Sequence, residues 1–187
     1  MCRLTFDPTR IRRLALISLI LQTTKGVAGR TRLQKITYLV NLIGWKSQLD
    51  FKFHDYGTYS ETLVKEVEGM VNNEWIEESA SGTPAGNTMF KYHIPRNRQS
   101  ITNSIISRVR DVDERLVTRT IGLTRQLDDF SREDLEIMST LAFLRKTKPH
   151  LNNDQLVELA NQLKPHFDLE EFRRGLRIFN ILRPFLD

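Results

Sequence analysis

The order of elements predicted for residues 30–94 constrains the fold of this chain more than any other feature of its sequence. Residues 31–43 carry apolar side chains at spacings typical of an amphipathic helix. An aromatic, glycine-containing turn follows at 54–60, and a second amphipathic helix pattern comes after it. Two strand-like runs, 75–78 and 89–94, flank a stretch rich in Ser, Gly and Pro that is typical of a hairpin tip. This order predicts a winged helix-turn-helix whose wing is the hairpin.

Capping residues predict where several helices begin. Asp7 followed by Pro8 is a typical helix start, because Asp is a good N-cap and Pro is tolerated at the first helical position. The first helix is therefore expected to run from Pro8 to about Thr24. Thr58, with Glu61 three residues later, predicts a capping box at the start of the third helix.

The remainder of the chain predicts further helices. Pro95 is the expected boundary between a winged-helix domain over residues 1–95 and an all-helical domain over 96–187, which makes the fold class mainly α. One long helix is expected over 98–127, since Val109 opens a series of apolar residues at heptad steps. Three further helices are expected to begin at capping residues, namely Ser131, Asn152 and Asp168.

Charge is distributed unevenly along the chain, whose formal net charge is +5. Residues 1–49 contain nine basic side chains and one acid, whereas residues 50–95 contain three lysines and eight acids. Such a separation within one predicted domain indicates an electrostatic partner or self-association.

Basic side chains near the starts of helices one and two predict contacts with nucleic acid, because phosphates favour helix N-termini. Lysines on helix three and on the wing complete this set. The predicted nucleic-acid-binding residues are Arg10, Arg12, Arg13, Arg30, Arg32, Lys35, Lys65 and Lys91. The alternative is a solvated basic face that pairs with the acidic residues of 50–95, within one chain or across a homodimer.

Helix three favours a protein-binding function over nucleic-acid binding. In a standard winged helix it would enter the major groove, yet its outward face is predicted to carry Glu61, Glu66 and Glu68. Phosphates would repel these carboxylates. They are therefore predicted to bind a protein partner, together with Arg173 and Arg177 of the last helix.

The last helix is expected to be amphipathic, with an arginine-rich outer face. Glu170 lies three and four residues before Arg173 and Arg174, a spacing that predicts ion pairs with both. Arg177 and Arg183 would then remain free to extend a basic surface.

Three short segments resemble a known family. Residues 32–39 (RLQKITYL), 54–60 (HDYGTYS) and 163–167 (LKPHF) are similar to the YwgA-like proteins. The first two are also similar to the wider SocA/Panacea group, which usually has proline at the position of Thr58. This resemblance implies a winged helix-like fold in poorly characterised bacterial and archaeal proteins, some of them near toxin–antitoxin or defence functions. It implies no catalytic residues.

No catalytic, metal or cofactor motif is evident. The single Cys2 has no histidine partner nearby, and the four histidines lie far apart in the sequence. No apolar run is long enough to span a bilayer, so a cytoplasmic location is expected. The sequence predicts a non-enzymatic, nucleic-acid-associated regulator, with a protein-interaction module as the alternative. A hydrolase or nuclease is a weaker third hypothesis.

Overall fold

The described residues form eight α-helices and two small antiparallel sheets in this computed structural model. The structure describes residues 7–54, 57–82, 86 and 88–186, with side chains up to residue 182. Cys2, Asp55, Tyr56 and the side chain of Arg183 lie outside the described part. The mainly α fold class is confirmed.

Helices and short strands alternate in the first half of the chain, and helices alone make up the second half. The first helices are α1 (Pro8–Thr23), α2 (Arg30–Asn41) and α3 (Glu61–Asn72). The strands are β1 (Val27–Ala28), β2 (Lys52–His54), β3 (Gly57–Tyr59), β4 (Glu77–Gly82) and β5 (Thr88–His93). A short 3-10 turn (Arg96–Arg98) leads to α4 (Gln99–Arg110), α5 (Glu114–Asp128), α6 (Arg132–Thr147), α7 (Asn153–Leu163) and α8 (Leu169–Leu186).

The larger sheet has the strand order β1-β5-β4, so β5 is its central strand. Tyr92 of β5 lies opposite Val27 of β1 on one side and opposite Glu78 of β4 on the other. The N–H of Gly29 donates to the carbonyl oxygen of Phe90 at 2.6 Å, just before α2 begins. The sheet therefore holds the β4–β5 hairpin against the start of α2.

Most of the predicted helix starts are confirmed. The Asp7 carboxylate accepts a hydrogen bond from the N–H of Arg10, and α1 ends within one residue of its predicted end. Ser131 and Asn152 cap α6 and α7 as predicted. Asp168 and Glu171 exchange two hydrogen bonds of 2.8 Å between side chain and backbone at the start of α8.

The predicted cap of α3 is wrong. The hydroxyl of Ser60, not that of Thr58, accepts the N–H of Leu63, and α3 begins at Glu61. Thr58 belongs instead to β3, where it lies opposite Phe53 and is fully buried. Strand pairing keeps the backbone extended for two residues longer than the capping pattern predicts.

The single long helix predicted for 98–127 is also wrong, because the chain turns at 111–113 between α4 and α5. The Asp113 carboxylate accepts the N–H of Leu116 at 2.8 Å and so caps α5. Val112 in the turn is 77% exposed.

One continuous core connects the two halves of the chain. Every side chain from Leu14 to Leu21 is buried, and α1 packs against α4 and α5. Helix α2 packs against α5 and α6. Trp45, which is fully buried, donates from Nε1 to the hydroxyl oxygen of Thr120 at 2.8 Å. The two regions predicted as separate domains on either side of Pro95 therefore share a single hydrophobic cluster.

Candidate interaction surface

Two of the arginines predicted to bind nucleic acid contact a buried glutamate. Arg10 and Arg13 each donate from Nε to the Glu66 carboxylate, at 3.2 and 2.8 Å. Glu66 is only 7% exposed, because it faces α1 rather than solvent. The outward position predicted for Glu66 is therefore wrong, and we remove it from the predicted protein interface.

Arg12 and Arg32 of the predicted set also bind groups within the chain. Arg12 donates to the carbonyl oxygen of Trp45 at 3.3 Å. Arg32 donates to the carbonyl oxygens of Phe130 and Asp128, at 2.7 and 2.6 Å. Arg32 thereby joins the start of α2 to the end of α5.

Arg30, at the start of α2, binds side chains of the β4–β5 hairpin. Its guanidinium lies 3.8 Å from the centroid of the Phe90 ring, donates to the Tyr92 hydroxyl at 3.1 Å and pairs with Glu78 at 3.3 Å. Burial raises the pKa of Tyr92 to about 12, so the phenol stays protonated at neutral pH. Since Arg30 is already neutralised by Glu78, it adds little net charge to this surface.

Lys35 lies in the core rather than at the surface. It is 1% exposed, and its Nζ donates to the carbonyl oxygen of Thr58 at 2.8 Å. Nearby, the buried Lys164 pairs with Glu136 at 2.9 Å. A lysine in this position cannot reach a phosphate backbone, so we remove Lys35 from the predicted nucleic-acid-binding set.

Burial lowers the pKa of Lys35 to about 8, because desolvation penalises the charged amine more than the carboxylate of Glu136 favours it. In the unfolded chain the pKa returns to about 10.4. Between these two values the unfolded state binds more protons, so this group makes stability rise with pH, by up to about 1.4 kcal/mol per pH unit.

Lys35→Met should abolish that dependence. From pH 7 to pH 10 the free energy of unfolding of the wild type should increase relative to Lys35→Met by roughly 2 kcal/mol. Denaturant unfolding at several pH values measures the difference. Burial also raises the pKa of Tyr38, but both proteins share that effect and it cancels. Lys65→Met is the control, and parallel profiles for wild type and Lys35→Met would contradict the prediction.

Lys65 and Lys91 remain exposed, and neither side chain forms an ion pair within residues 7–54, 57–82 and 88–182. Glu61 and Glu68 on α3 are likewise exposed, and their side chains have no hydrogen-bonding partner among the described residues. Of the residues predicted to bind a partner on α3 and on the β4–β5 hairpin, these four have side chains without an ion pair in the described part of the chain.

The arginines of α8 pair differently from the prediction. Glu170 binds Arg173 and Arg177, at 3.7 and 3.2 Å, whereas Arg174 binds Asp134 of α6 at 2.9 Å. The prediction that Arg177 stays free is therefore wrong. These are exposed pairs, which contribute little to stability and can exchange for a partner's charges.

A groove with a volume of about 540 Å³ lies between α2, α3 and the β4–β5 hairpin. We call it the α2–α3–hairpin groove. Aliphatic side chains from the two helices line it, namely Leu33, Leu63, Val64, Val67 and Val71. Its polar lining includes the exposed side chains of Arg30, Glu68, Asn72 and Glu78 and the buried side chains of Gln34, Lys35, Thr58 and Tyr92.

This groove could not be predicted from the sequence, since its walls come from five elements that meet only in the fold, namely α2, β3, α3, β4 and β5. One signal was present. Val64 and Val71 are seven residues apart and flank Glu68, so α3 carries an apolar stripe outside the face that packs on the core. Both valines are partly exposed.

Among the described residues, no cluster of three or more His, Cys, Asp or Glu is placed to hold a metal ion. No described helix is both long and apolar enough to cross a membrane.

Comparison with known proteins finds no family model that matches the chain. The comparison with curated proteins also finds no match. The resemblance to the YwgA-like and SocA/Panacea proteins therefore stays a prediction from three short segments, and the groove and its charges support the functional proposal.

Proposed function

We propose that residues 8–93 form a winged-helix unit. The element order α1-β1-α2-α3-β4-β5 supports this, and so does the strand order β1-β5-β4, in which the strand after α1 pairs with the hairpin. The β2–β3 hairpin is then an insertion between the second and third helices. The β4–β5 hairpin is the wing, and α3 is the helix that would face a partner.

We infer that this unit is a non-enzymatic protein-interaction module that binds a basic protein surface through α3 and the wing. The observation that carries this proposal is a contrast between basic and acidic side chains: the basic ones are occupied within the chain, whereas two acidic ones stay exposed. Five of the six basic residues at the helix starts bind groups within the chain, and the sixth, Lys35, is buried. The carboxylates of Glu61 and Glu68 remain exposed on α3.

The wing adds acidic groups that are only weakly held. Glu77 and Glu78 are exposed on β4, where they pair with His93 and Arg30 at the surface. Glu74, just before the wing, pairs with Arg98. Because exposed pairs contribute little, a basic partner can compete for these carboxylates.

Nucleic-acid binding is the competing hypothesis, and it now depends on Lys65 and Lys91. Fluorescence anisotropy against labelled duplex DNA, single-stranded DNA and RNA at several salt concentrations tests it directly. We expect weak binding, with a slope of log K against log salt no steeper than about −2, since two lysines neutralise at most two phosphates. A slope of about −4 to −6 would overturn the protein-interaction proposal in favour of a nucleic-acid-binding regulator.

A charge reversal tests the protein-interaction proposal itself. Proteins captured from a lysate of cells that express this chain should be lost when Glu61→Lys and Glu68→Lys are combined. Glu158→Lys, at an exposed position on α7, is the matched control and should retain them. Identical sets of captured proteins from the double variant and the control would contradict the proposal.

A further inference from the structure

We propose that the α2–α3–hairpin groove binds the apolar face of a short, basic, amphipathic helix of the partner. This inference rests on the proposed function and names the part of the partner that the acidic surface recognises. It is carried by the shape of the groove, by its apolar floor and by the charge at its mouth.

The floor of the groove is suited to aliphatic side chains. Leu33, Leu63 and Val67 are at most 5% exposed and line its base, beside the buried polar side chains of Gln34, Lys35 and Thr58. Val64 and Val71 line it from partly exposed positions. Burying apolar side chains on such a floor stabilises a complex by about 25 cal/mol for each Å² removed from water. The volume of about 540 Å³ has room for several side chains and falls within the ordinary range for binding cavities.

The length of the groove favours a helix. Residues of α3 line it from Leu63 to Asn72, which is most of a helix of 12 residues. At 1.5 Å per residue this wall is roughly 14 Å long, enough for two to three turns of a partner helix. An amphipathic helix places apolar residues in such a groove at positions i, i+3, i+4 and i+7.

The mouth of the groove favours basic residues beside those apolar anchors. Arg30 is compensated by Glu78, whereas the Glu68 carboxylate has no ion-pair partner among the described residues. Glu61 lies two turns earlier on the same side of α3. A partner with Lys or Arg next to its apolar stripe would pair with these carboxylates, and an acidic helix would be repelled.

The experiment uses designed peptides as probes and the full chain as the receptor. The probe is a labelled twelve-residue peptide with leucine at positions 1, 4, 5, 8 and 12 and lysine elsewhere. One matched peptide replaces the lysines with glutamates, and another replaces the leucines with serines. Fluorescence anisotropy should show the leucine–lysine peptide binding at least tenfold more tightly than either. In methyl-labelled protein, the resonances of Val64, Val67 and Val71 should shift on its addition.

Variants that change either the apolar lining or one charge separate apolar contact from electrostatic attraction. Val64→Gln combined with Val71→Gln should weaken binding at least fivefold at both low and high salt. Glu68→Gln should weaken it at low salt only, because salt screens an exposed charge pair. Val112→Gln, in the exposed α4–α5 turn, is the control and should bind like the wild type. Circular dichroism and the unperturbed methyl spectrum report whether each variant is folded.

The outcomes distinguish this inference from the proposed function. If the serine–lysine peptide binds as well as the leucine–lysine peptide, or if the valine methyl resonances do not shift, the groove is not the site. The acidic surface could still account for the captured proteins that the Glu61 and Glu68 reversal removes. Absence of binding by the leucine–lysine peptide would likewise overturn the inference. A steep salt slope with duplex DNA would overturn the proposed function itself.

Discussion

Replacing Glu66 with alanine is expected to lower the free energy of unfolding by about 2–4 kcal/mol. The Glu66 side chain is 9% exposed and accepts hydrogen bonds from Arg10 and Arg13. Two guanidinium groups share this carboxylate, and its removal leaves the mostly buried Arg13 without the anion that compensates its charge. Arg13, whose side chain is 16% exposed, should lose more than the better solvated Arg10. Denaturant unfolding followed by circular dichroism measures the change.

Glu68→Ala is the matched control, since it removes the same group two residues later on α3. Glu68 is exposed, and its side chain has no hydrogen-bonding partner within the described part of the chain. Its replacement should change the free energy of unfolding by no more than about 0.5 kcal/mol. Equal effects of the two substitutions would show that Glu66 has no special role in holding α1 against α3.

The same substitution should also change the binding properties of the protein. Without Glu66, the side chains of Arg10 and Arg13 lose the carboxylate that they share, so their positive charges attract phosphates more strongly. The slope of log K against log salt for duplex DNA should steepen by up to about 2 in Glu66→Ala, because each neutralised phosphate contributes about 0.9. An unchanged slope would mean that these arginines stay sequestered by other groups.

Local signals explain why much of the fold could be predicted from the sequence. The starts of α1, α6, α7 and α8 each depend on a side chain and a backbone N–H three residues later, so the sequence contains both partners. In the β4–β5 hairpin, β5 was predicted to within one residue at each end, whereas β4 was predicted to begin two residues early and to end four residues early. Pairing continues to Gly82 and Thr88, further towards the tip than the composition indicated.

Two of the errors in secondary structure arose where a longer-range contact outweighed a local signal. Thr58 and Ser60 are both good capping residues, and strand pairing with β2 decided between them. The turn between α4 and α5 was hidden because Val109 and Leu116 are buried seven residues apart on either side of it. Asp113 was the local sign of a new helix start.

The candidate site could not be predicted to the same extent, because its contacts join distant parts of the chain. Arg13 and Glu66 are separated by 53 residues, and no spacing in the sequence reveals that they pair. Lys35 was assigned to the surface as most lysines would be, yet β3 and α6 cover that side of α2. Charge is indeed distributed unevenly along the chain, but most of the basic side chains predicted to bind a partner bind acidic groups or carbonyl oxygens of the chain itself.

Gly175→Ala is expected to destabilise the protein even though alanine is the better helix former. Gly175 lies in α8 where α8 packs on α6, and a Cβ atom there would lie 2.3 Å from Cγ2 of Ile137. Such overpacking costs about 1–3 kcal/mol, which exceeds the gain of about 1 kcal/mol from helix propensity. Gly69 in α3 is the matched control, because a Cβ there would meet nothing nearer than Arg10 Nη2 at 4.0 Å. Gly69→Ala should stabilise the protein by about 0.5–1 kcal/mol.

A second substitution tests whether the contact with Ile137 is the cause. Ile137→Ala alone should cost about 2–5 kcal/mol, because it removes a buried side chain and leaves a cavity. In the double variant, the new methyl group of residue 175 enters the space that Cγ2 of Ile137 occupied. The two losses should therefore be less than additive, with a coupling of about 1–3 kcal/mol measured by denaturant unfolding. Additive losses would mean that the strain of Gly175→Ala is relieved by a shift of α8, and that the close approach of α8 to α6 does not depend on glycine.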